Sequence, residues 1–550
     1  MANIKIPKKL FEKEIGKLDD KMQEQIALFG TPVESVGDNE FELEIFPDRP
    51  DMLSYQGFKR AFWAFLGKQT GLKEYKIKKP AKDYKVVIDG SVKGIRPFTA
   101  CAIVKNIKFD DEKIKEIIDI QEKLHFTVGR KRKKLAIGIY PLEKIKLPIT
   151  YKALEPDKIK FQPLESEREM DGLQILQRHP VGRDYAHLLA GKEKFPIFID
   201  GDKNILSMPP IINSHLTGKI TEETKDVFIE CSGFDFEILK KALNMIVTTL
   251  AEQSSDVEIY QMELQYGNKK ELTPELKPEK MKINLDNLNK LLGLELNEKQ
   301  IKTFLERMGY NYNNKVVEVP GWRTDVLHEV DLIEDVAIAF GYGNFVPEIP
   351  SVSTIGSEDK KETVKRKISD ILSGLKFLEV SNFHLTKKDD QFVKMGLNAK
   401  NEKFVEVQDS KTDYTILRQN LSHYILKILS ENVDAEYPQR IFELGTVFKG
   451  FEGVEEKINL AMAITAGNFT DLKQVLEYLG RMLDKKIELK EPGGSNSLPK
   501  HFIEGRAAEI FVNGKGAGFI GEIHPKILRL WKLKMPVVIL EICLGEVLNI

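Results

Sequence analysis

The chain has 550 residues, and its 83 basic against 84 acidic side chains give a net charge of −1, which excludes a polycationic nucleic-acid coat but leaves room for a local basic patch. This length predicts several domains, and three cysteines without a Cys-x-x-Cys pair argue against a disulfide framework or a zinc finger. The Lys-rich N-terminus has no apolar leader and no stretch approaches the ~20 apolar residues of a membrane span, so we expect a cytoplasmic protein without a membrane partner.

Residues 1–85 predict a small α/β domain. Residues 41–45 alternate apolar and polar side chains, as a half-buried strand does. Two prolines then exclude a helix until Ser54, which is placed to cap one. Aromatic side chains recur at helical spacing after it, up to Gly67. We expect this aromatic stripe to form core or interface packing.

Residues 86–272 predict a mixed α+β domain. The strands expected there cover residues 99–107, 195–200, 204–208 and 226–231, and an amphipathic helix follows at 236–250. Residues 209–218 form a loop with two prolines and a glycine, which would hold Asn213, Ser214 and Thr217 rigidly enough to recognise a small polar ligand. A well-capped connection between strands explains the same loop, so both interpretations remain open.

A dense basic run, residues 129–134, comes directly before a predicted strand at 135–139. Each lysine or arginine that contacts a phosphate releases about one counterion, so the run could bind a nucleic-acid backbone. A solvated loop has the same composition. Six residues alone do not decide between the two.

Residues 273–350 predict a winged-helix-like module. Helices are expected at 285–292 and 298–308, a strand at 315–319, and a further helix from His328 or Glu329. The apolar residues of this last helix are expected to share one face: Val330, Leu332, Ile333, Val336, Ala337 and Phe340.

The carboxylates of the same helix are spaced as a possible metal site. Asp331, Glu334 and Asp335 stand at i, i+3 and i+4, and Asp325 lies in the loop just before them. Like charges on one helical surface repel, and a hard cation such as Mg²⁺ would remove that repulsion. An ordinary solvated acidic face explains the pattern as well.

Residues 351–550 alternate helices with strands such as 440–448 and 507–512, as expected of an α+β domain around an antiparallel sheet. Five segments, taken in chain order, resemble the family of phenylalanine–tRNA ligase beta subunits of archaeal and eukaryotic cytosolic type: FPDRPDMLS (46–54), GRKRKKLAIG (129–138), PPIINS (209–214), WRTD through YG (322–343) and GEIHP (521–525). The resemblance extends over essentially the whole chain.

The resemblance implies a multidomain α+β chain of a class II aminoacyl-tRNA synthetase built from two alpha and two beta chains. In this family the alpha subunit attaches L-phenylalanine to tRNA(Phe) with ATP. The beta chain carries a hydrolytic editing site against mischarged tyrosine, and residues 351–550 would be a degenerate class II synthetase domain without the activation chemistry. The ligands implied for Mg²⁺ are Asp325, Asp331, Glu334 and Asp335.

For the editing site, the candidates are four polar residues in or near the rigid loop of domain 86–272: Asn213, Ser214, Thr217 and Asp235. Two functions of other classes remain as alternatives. One is a nucleic-acid-binding regulator that uses the 273–350 module without any synthetase. The other is a stand-alone deacylase that acts on mischarged tRNA with no partner chain.

Overall fold

The computed structural model describes residues 2–352, 354–450, 453–493 and 498–545. The chain divides into two units, Met1–Ile349 and Pro350–Ile550. The division does not separate the N-terminal unit further, so the boundaries expected near residues 85 and 272 remain predictions. None of the helices in the described ranges is long and apolar enough to cross a bilayer.

Nineteen strands of the first unit are described: β1 Ala2–Pro7, β2 Val33–Val36, β3 Glu40–Ile45, β4 Ile77–Lys78, β5 Lys85–Ile88, β6 Phe98–Lys105, β7 Leu135–Pro141, β8 Ile149–Leu154, β9 Lys160–Phe161, β10 Met170–Asp171, β11 Phe195–Ile199, β12 Ile205–Met208, β13 Ile212–Asn213, β14 Val227–Gly233, β15 Glu258–Tyr266, β16 Lys269–Thr273, β17 Glu279–Lys282, β18 Asn311–Asn313 and β19 Val316–Val319. Its described helices are α1 Lys8–Glu14, α2 Asp20–Leu28, α3 Tyr55–Phe65, α4 Asp111–Phe126, α5 Gly172–Arg178, α6 Pro180–Tyr185, α7 His215–Gly218, α8 Phe236–Ala251, α9 Leu285–Leu292, α10 Glu298–Arg307 and α11 Glu329–Phe340.

The largest sheet of the first unit has the order β13-β12-β11-β8-β5-β15-β6-β14-β7, with β4 and β16 paired to β15 outside this path. The antiparallel strands β6, β14 and β7 are buried along almost their whole length. Helices α4 and α8 pack on them. Three smaller antiparallel sheets are described in the same unit: β1-β3-β2 at its start, the pair β9-β10, and β17-β19-β18 beside α9 to α11.

The second unit is built on a seven-stranded sheet of order β20-β23-β24-β28-β27-β26-β25. The described strands are β20 Leu378–Glu379, β21 Leu385–Thr386, β22 Ile416–Leu417, β23 Gln439–Lys449, β24 Glu455–Thr465, β25 Ile487–Lys490, β26 Phe502–Val512, β27 Lys515–Ile523 and β28 Val537–Cys543. The described helices are α12 Lys360–Gly374, α13 Lys388–Gln391, α14 Ser422–Glu431, α15 Phe469–Met482 and α16 Pro525–Leu530. The β23 to β28 strands pair antiparallel, which confirms the multidomain α+β class.

Local signals in the sequence place several helices close to where the structure has them. The hydroxyl of Ser54 caps α3 by accepting a hydrogen bond from the Gly57 amide, at 3.0 Å. Helix α9 has the predicted bounds, and α11 begins at Glu329 with His328 as its cap.

The predicted apolar face of α11 is wrong at two positions. Val330 is 49% exposed, whereas Asp335, expected on the solvent side, is 5% exposed. The reason is tertiary. A buried arginine outside the helix reaches Asp335, and its charge makes burial of the carboxylate tolerable.

Candidate functional site

The predicted metal residues do not gather around one point. The Arg323 guanidinium lies between two of them and donates to Asp325 Oδ2 at 2.6 Å and to Asp335 Oδ2 at 2.8 Å. Burial favours the neutral form of Asp325, but Arg323 outweighs it and keeps the pKa of Asp325 below its ordinary value of 3.8. The hydroxyl of Tyr310 also donates to Asp335.

The other two carboxylates of this cluster have different surroundings. Asp331 Oδ2 accepts hydrogen bonds from the Leu327 and His328 amides, both at 2.7 Å. It thereby stabilises the start of α11. Glu334 is exposed. Across the described ranges, no group of three or more His, Cys, Asp or Glu side chains could hold a metal ion. With Arg323 already neutralising Asp325 and Asp335, the four side chains do not fit a Mg²⁺ site on this chain, and that ligand set remains a prediction.

A cavity of about 570 Å³ lies in the first unit between α4, strands β7 and β14, and the segment 209–220, which includes β13 and α7. Its walls are largely apolar and include Ile137, Ile139 and Ile211. Polar side chains reach it from several elements: Gln121, Glu122, His125, Arg132, His179, Asn213, His215 and Glu230. An apolar pocket with a few convergent polar groups is the usual form of a small-molecule site.

Glu230 is a buried carboxyl of the cavity with one oxygen unpaired among the described residues. It sits in the middle of β14, 2% exposed, and its Oε2 has no hydrogen-bond partner in the described part of the chain. Burial raises its pKa to about 8, against the opposing effect of Arg96 and of the hydrogen bond from Tyr140. An unpaired polar atom at such a site costs free energy, so a ligand that pairs with it gains affinity.

Tyr140 joins Glu230 to the predicted residue Asn213. Its hydroxyl lies 3.3 Å from Glu230 Oε1 and 3.3 Å from Asn213 Oδ1. One hydroxyl proton can serve only one acceptor, and a protonated Glu230 supplies the second proton. Gly138 on the neighbouring strand makes room, because a Cβ there would lie 2.7 Å from Glu230 Oε1.

Three histidines line the cavity, in different hydrogen-bonding states. His125 Nε2 accepts the Ile137 amide at 2.7 Å, and burial lowers the pKa of this imidazole, so that nitrogen is occupied. His179 faces the Leu164 carbonyl through Nε2 at 3.1 Å, which makes Nε2 the protonated nitrogen and leaves Nδ1 as an acceptor without a partner. His215 Nδ1 has no partner either within the described ranges.

Of the four predicted editing residues, the cavity gathers one. Asn213 lines it, whereas Ser214 and Thr217, the N-cap and a residue of α7, are buried and are not among its lining residues. Asp235 is the N-cap of α8 and accepts hydrogen bonds from the Glu237 and Ile238 amides. Glu230 was missed, although a single carboxylate inside the apolar run 227–231 is the signal that could have found it.

Comparisons with known proteins agree on one family. Three family models match in order: the B3/4 domain at residues 99–258, the tRNA synthetase B5 domain at 281–342, and the phenylalanyl tRNA synthetase beta chain CLM domain at 346–544. The phenylalanine–tRNA ligase beta subunit of Thermococcus sibiricus is 39% identical over 508 residues, covering 90% of this chain and 89% of the relative. The chain belongs to the family of phenylalanine–tRNA ligase beta subunits.

Further relatives support the same family over the chain's length. The beta subunit of Archaeoglobus fulgidus is 37% identical over 542 residues, or 97% of this chain and 96% of the relative. A solved N-terminal fragment of the phenylalanyl-tRNA synthetase beta subunit from Pyrococcus horikoshii is 36% identical with a TM-score of 0.59, and it covers 62% of this chain and 99% of that fragment. The cavity lies within the residues matched by the B3/4 model. Arg323 and its partners Asp325 and Asp335 lie within the residues matched by the B5 model.

Proposed function

We propose that this beta subunit hydrolyses the ester bond of tyrosine wrongly attached to tRNA(Phe), in the cavity beside Glu230. The observation that carries the proposal is the unpartnered Oε2 of Glu230, a buried carboxyl in a pocket with largely apolar walls. Tyrosine differs from phenylalanine by one hydroxyl, and a site that hydrogen-bonds this hydroxyl selects the wrong product. Phenylalanine would leave the buried carboxyl unpaired, at a cost of about 1–3 kcal/mol.

The reaction itself is ester hydrolysis. Water adds to the ester carbonyl, the bond between the acyl carbon and the ribose oxygen breaks, and the ribose hydroxyl leaves with a proton from the water. We assign the tyrosine hydroxyl to Glu230 and Asn213, and the attacking water to the free Nδ1 of His179. Ser214, Thr217 and Asp235 remain candidates for support of this loop.

The test compares hydrolysis of Tyr-tRNA(Phe) and Phe-tRNA(Phe) by Glu230→Met and by the parent chain. The variant should lose about 5- to 150-fold in preference for the tyrosyl ester, the equivalent of about 1–3 kcal/mol. Glu165→Met is the matched control, because Glu165 is another carboxyl of the cavity wall but is exposed. Equal preference in parent and Glu230→Met would contradict the assignment.

We further propose that the attachment of phenylalanine takes place in a partner alpha subunit, within an alpha2beta2 complex that binds tRNA(Phe), ATP and L-phenylalanine. Support comes from the second unit, where Arg418 donates to Glu443 Oε1 at 2.6 Å with both side chains 2% exposed. Arg418 also donates to the Thr446 and Asn382 carbonyls. Both charges of this ion pair are therefore satisfied within the protein and are not available to a nucleotide.

The experiment for this part is phenylalanine-dependent exchange between ATP and pyrophosphate. The chain alone should show no exchange, and exchange should appear when the alpha subunit is added. Exchange by the chain alone would refute the proposal. Mg²⁺ belongs to the proposal as a cofactor of the complex, with no step assigned to it on this chain. Three free cysteines, two of them buried, fit the reducing cytoplasm that we propose as the compartment.

A further inference from the structure

The basic run of residues 129–134 forms an exposed turn between α4 and β7, which we name the basic turn. Arg130, Lys131, Lys133 and Lys134 are all exposed. Lys131 lies over an aromatic ring, 5.6 Å from its centroid. The other three side chains have no hydrogen-bond or ion-pair partner within the described ranges, so they are free to bind an anionic partner.

The backbone of the basic turn is held in an unusual shape. Arg130, Lys131 and Arg132 are consecutive non-glycine residues in the left-handed region, with φ of 47°, 55° and 64°. Gly129 starts the turn where a Cβ would lie 2.5 Å from the His125 carbonyl oxygen. Residues other than glycine rarely adopt this backbone conformation. Backbone strain of this kind concentrates where binding requires a fixed geometry.

Arg132 points the other way and fastens the turn to the cavity. It donates to the Ile211 carbonyl at 2.9 Å and to Glu122 at 2.9 Å, and its guanidinium lies 4.4 Å from the centre of the Tyr185 ring. Arg132, Glu122 and Ile211 all line the cavity. Arg132 therefore anchors the basic turn beside the cavity, and the exposed cations are its chain neighbours, not lining residues.

An exposed aromatic ring lies under Lys131, one of the four exposed cations of the basic turn. Phe126, at the end of α4, is 61% exposed and is the ring that Lys131 covers. It lines a shallow pocket of about 280 Å³ together with Glu122 and His125, which also line the main cavity. Free cations next to an exposed ring form the usual surface for single-stranded nucleic acid, since phosphates bind the cations and a base stacks on the ring.

We propose that the basic turn and Phe126 bind the single-stranded 3′ end of an RNA and lead its terminal residue into the cavity. Its phosphates pair with Arg130, Lys133 and Lys134, and a base stacks on Phe126. The assignment rests on the proposed editing function, because that reaction needs an RNA end at this cavity. It adds the surface that delivers the end.

The test measures binding of two labelled RNA stem–loops to the full chain, one with a four-nucleotide 3′ overhang and one blunt. Replacing Arg130, Lys133 and Lys134 with alanine should weaken binding of the overhang RNA at least 10-fold. The slope of log K against log salt should fall by about 2, since each lost contact with single-stranded phosphate removes about 0.7. The control changes three equally exposed lysines without partners in the described ranges: Lys76, Lys79 and Lys82.

Phe126→Ala is the second variant, and it should remove most of the preference for the overhang RNA over the blunt one. The proposal is overturned if the triple variant binds as the parent does, or if the control weakens binding equally. An acidic peptide that competes as well as RNA would also overturn it. If the parent binds the overhang RNA but does not hydrolyse Tyr-tRNA(Phe), the surface stands and the editing function fails.

Discussion

Replacing Glu230 with glutamine should make the protein more stable, by an amount that grows with pH. Glutamine has nearly the same shape and stays neutral at every pH. The Glu230 carboxyl has a pKa of about 8 in the folded protein, raised by burial from an ordinary value of 4.5. A group whose pKa is raised on folding stabilises the protein below its unfolded pKa and loses that contribution as pH rises towards the folded one.

The size of the effect follows from this window. Between pH 4.5 and 7 the unfolded chain releases the Glu230 proton while the folded chain still holds it. Each pH unit in that range costs about 1.4 kcal/mol, so the parent should lose about 3 kcal/mol at pH 7 relative to Glu230→Gln. Above about pH 8 both states are ionised and the difference becomes constant.

The assay is urea unfolding of the parent and of Glu230→Gln at pH 5, 7 and 9. The difference between the two free energies of unfolding should rise from pH 5 to pH 7 and level off by pH 9. Hydrogen-bond differences between acid and amide do not change with pH, so only the titration contributes to the slope. A difference that stays constant over this range would refute the raised pKa and, with it, the protonated hydrogen bond to Tyr140.

Four other changes have definite expected results. Arg418→Met should cost about 3–5 kcal/mol of stability by calorimetry, because it leaves Glu443 buried without its partner, and adding Glu443→Met should recover most of the loss. The pair Asp331→Ala, Glu334→Gln should leave the Mg²⁺ dependence of assembly and activity unchanged, because Arg323 already neutralises Asp325 and Asp335; a loss confined to limiting Mg²⁺ would show that the predicted metal site forms. Calorimetry of the isolated chain should show no Mg²⁺-dependent shift, since Arg323 neutralises the other two carboxylates. Ser54→Ala should lower stability by about 1 kcal/mol through loss of the α3 cap, measured by urea unfolding.

Local sequence signals determined where several helices begin. Ser54 was predicted to cap a helix, and another helix was predicted to begin at His328 or Glu329, because such signals depend on neighbouring residues only. The structure has α3 beginning after Ser54 and α11 beginning at Glu329. The five family-like segments identified the family for a similar reason, since each is a short contiguous pattern in a fixed order.

The contents of the cavity depended on tertiary structure. Glu230 lies beside Gly138 in the register of β14 and β7, and Tyr140 links it to Asn213 of β13, which belongs to another part of the sheet. No local sequence pattern predicts that residues of separate strands become neighbours, because their burial and pairing depend on how the sheet is assembled.

The acidic helix shows the same division between sequence and tertiary structure. Its sequence predicted the start of α11 and the spacing of Asp331, Glu334 and Asp335. Only the folded chain decided that Asp335 turns inward, since the deciding charge, Arg323, comes from outside the helix. Helical periodicity sorts residues into faces by polarity, and it cannot anticipate a carboxylate whose burial is balanced by a distant arginine.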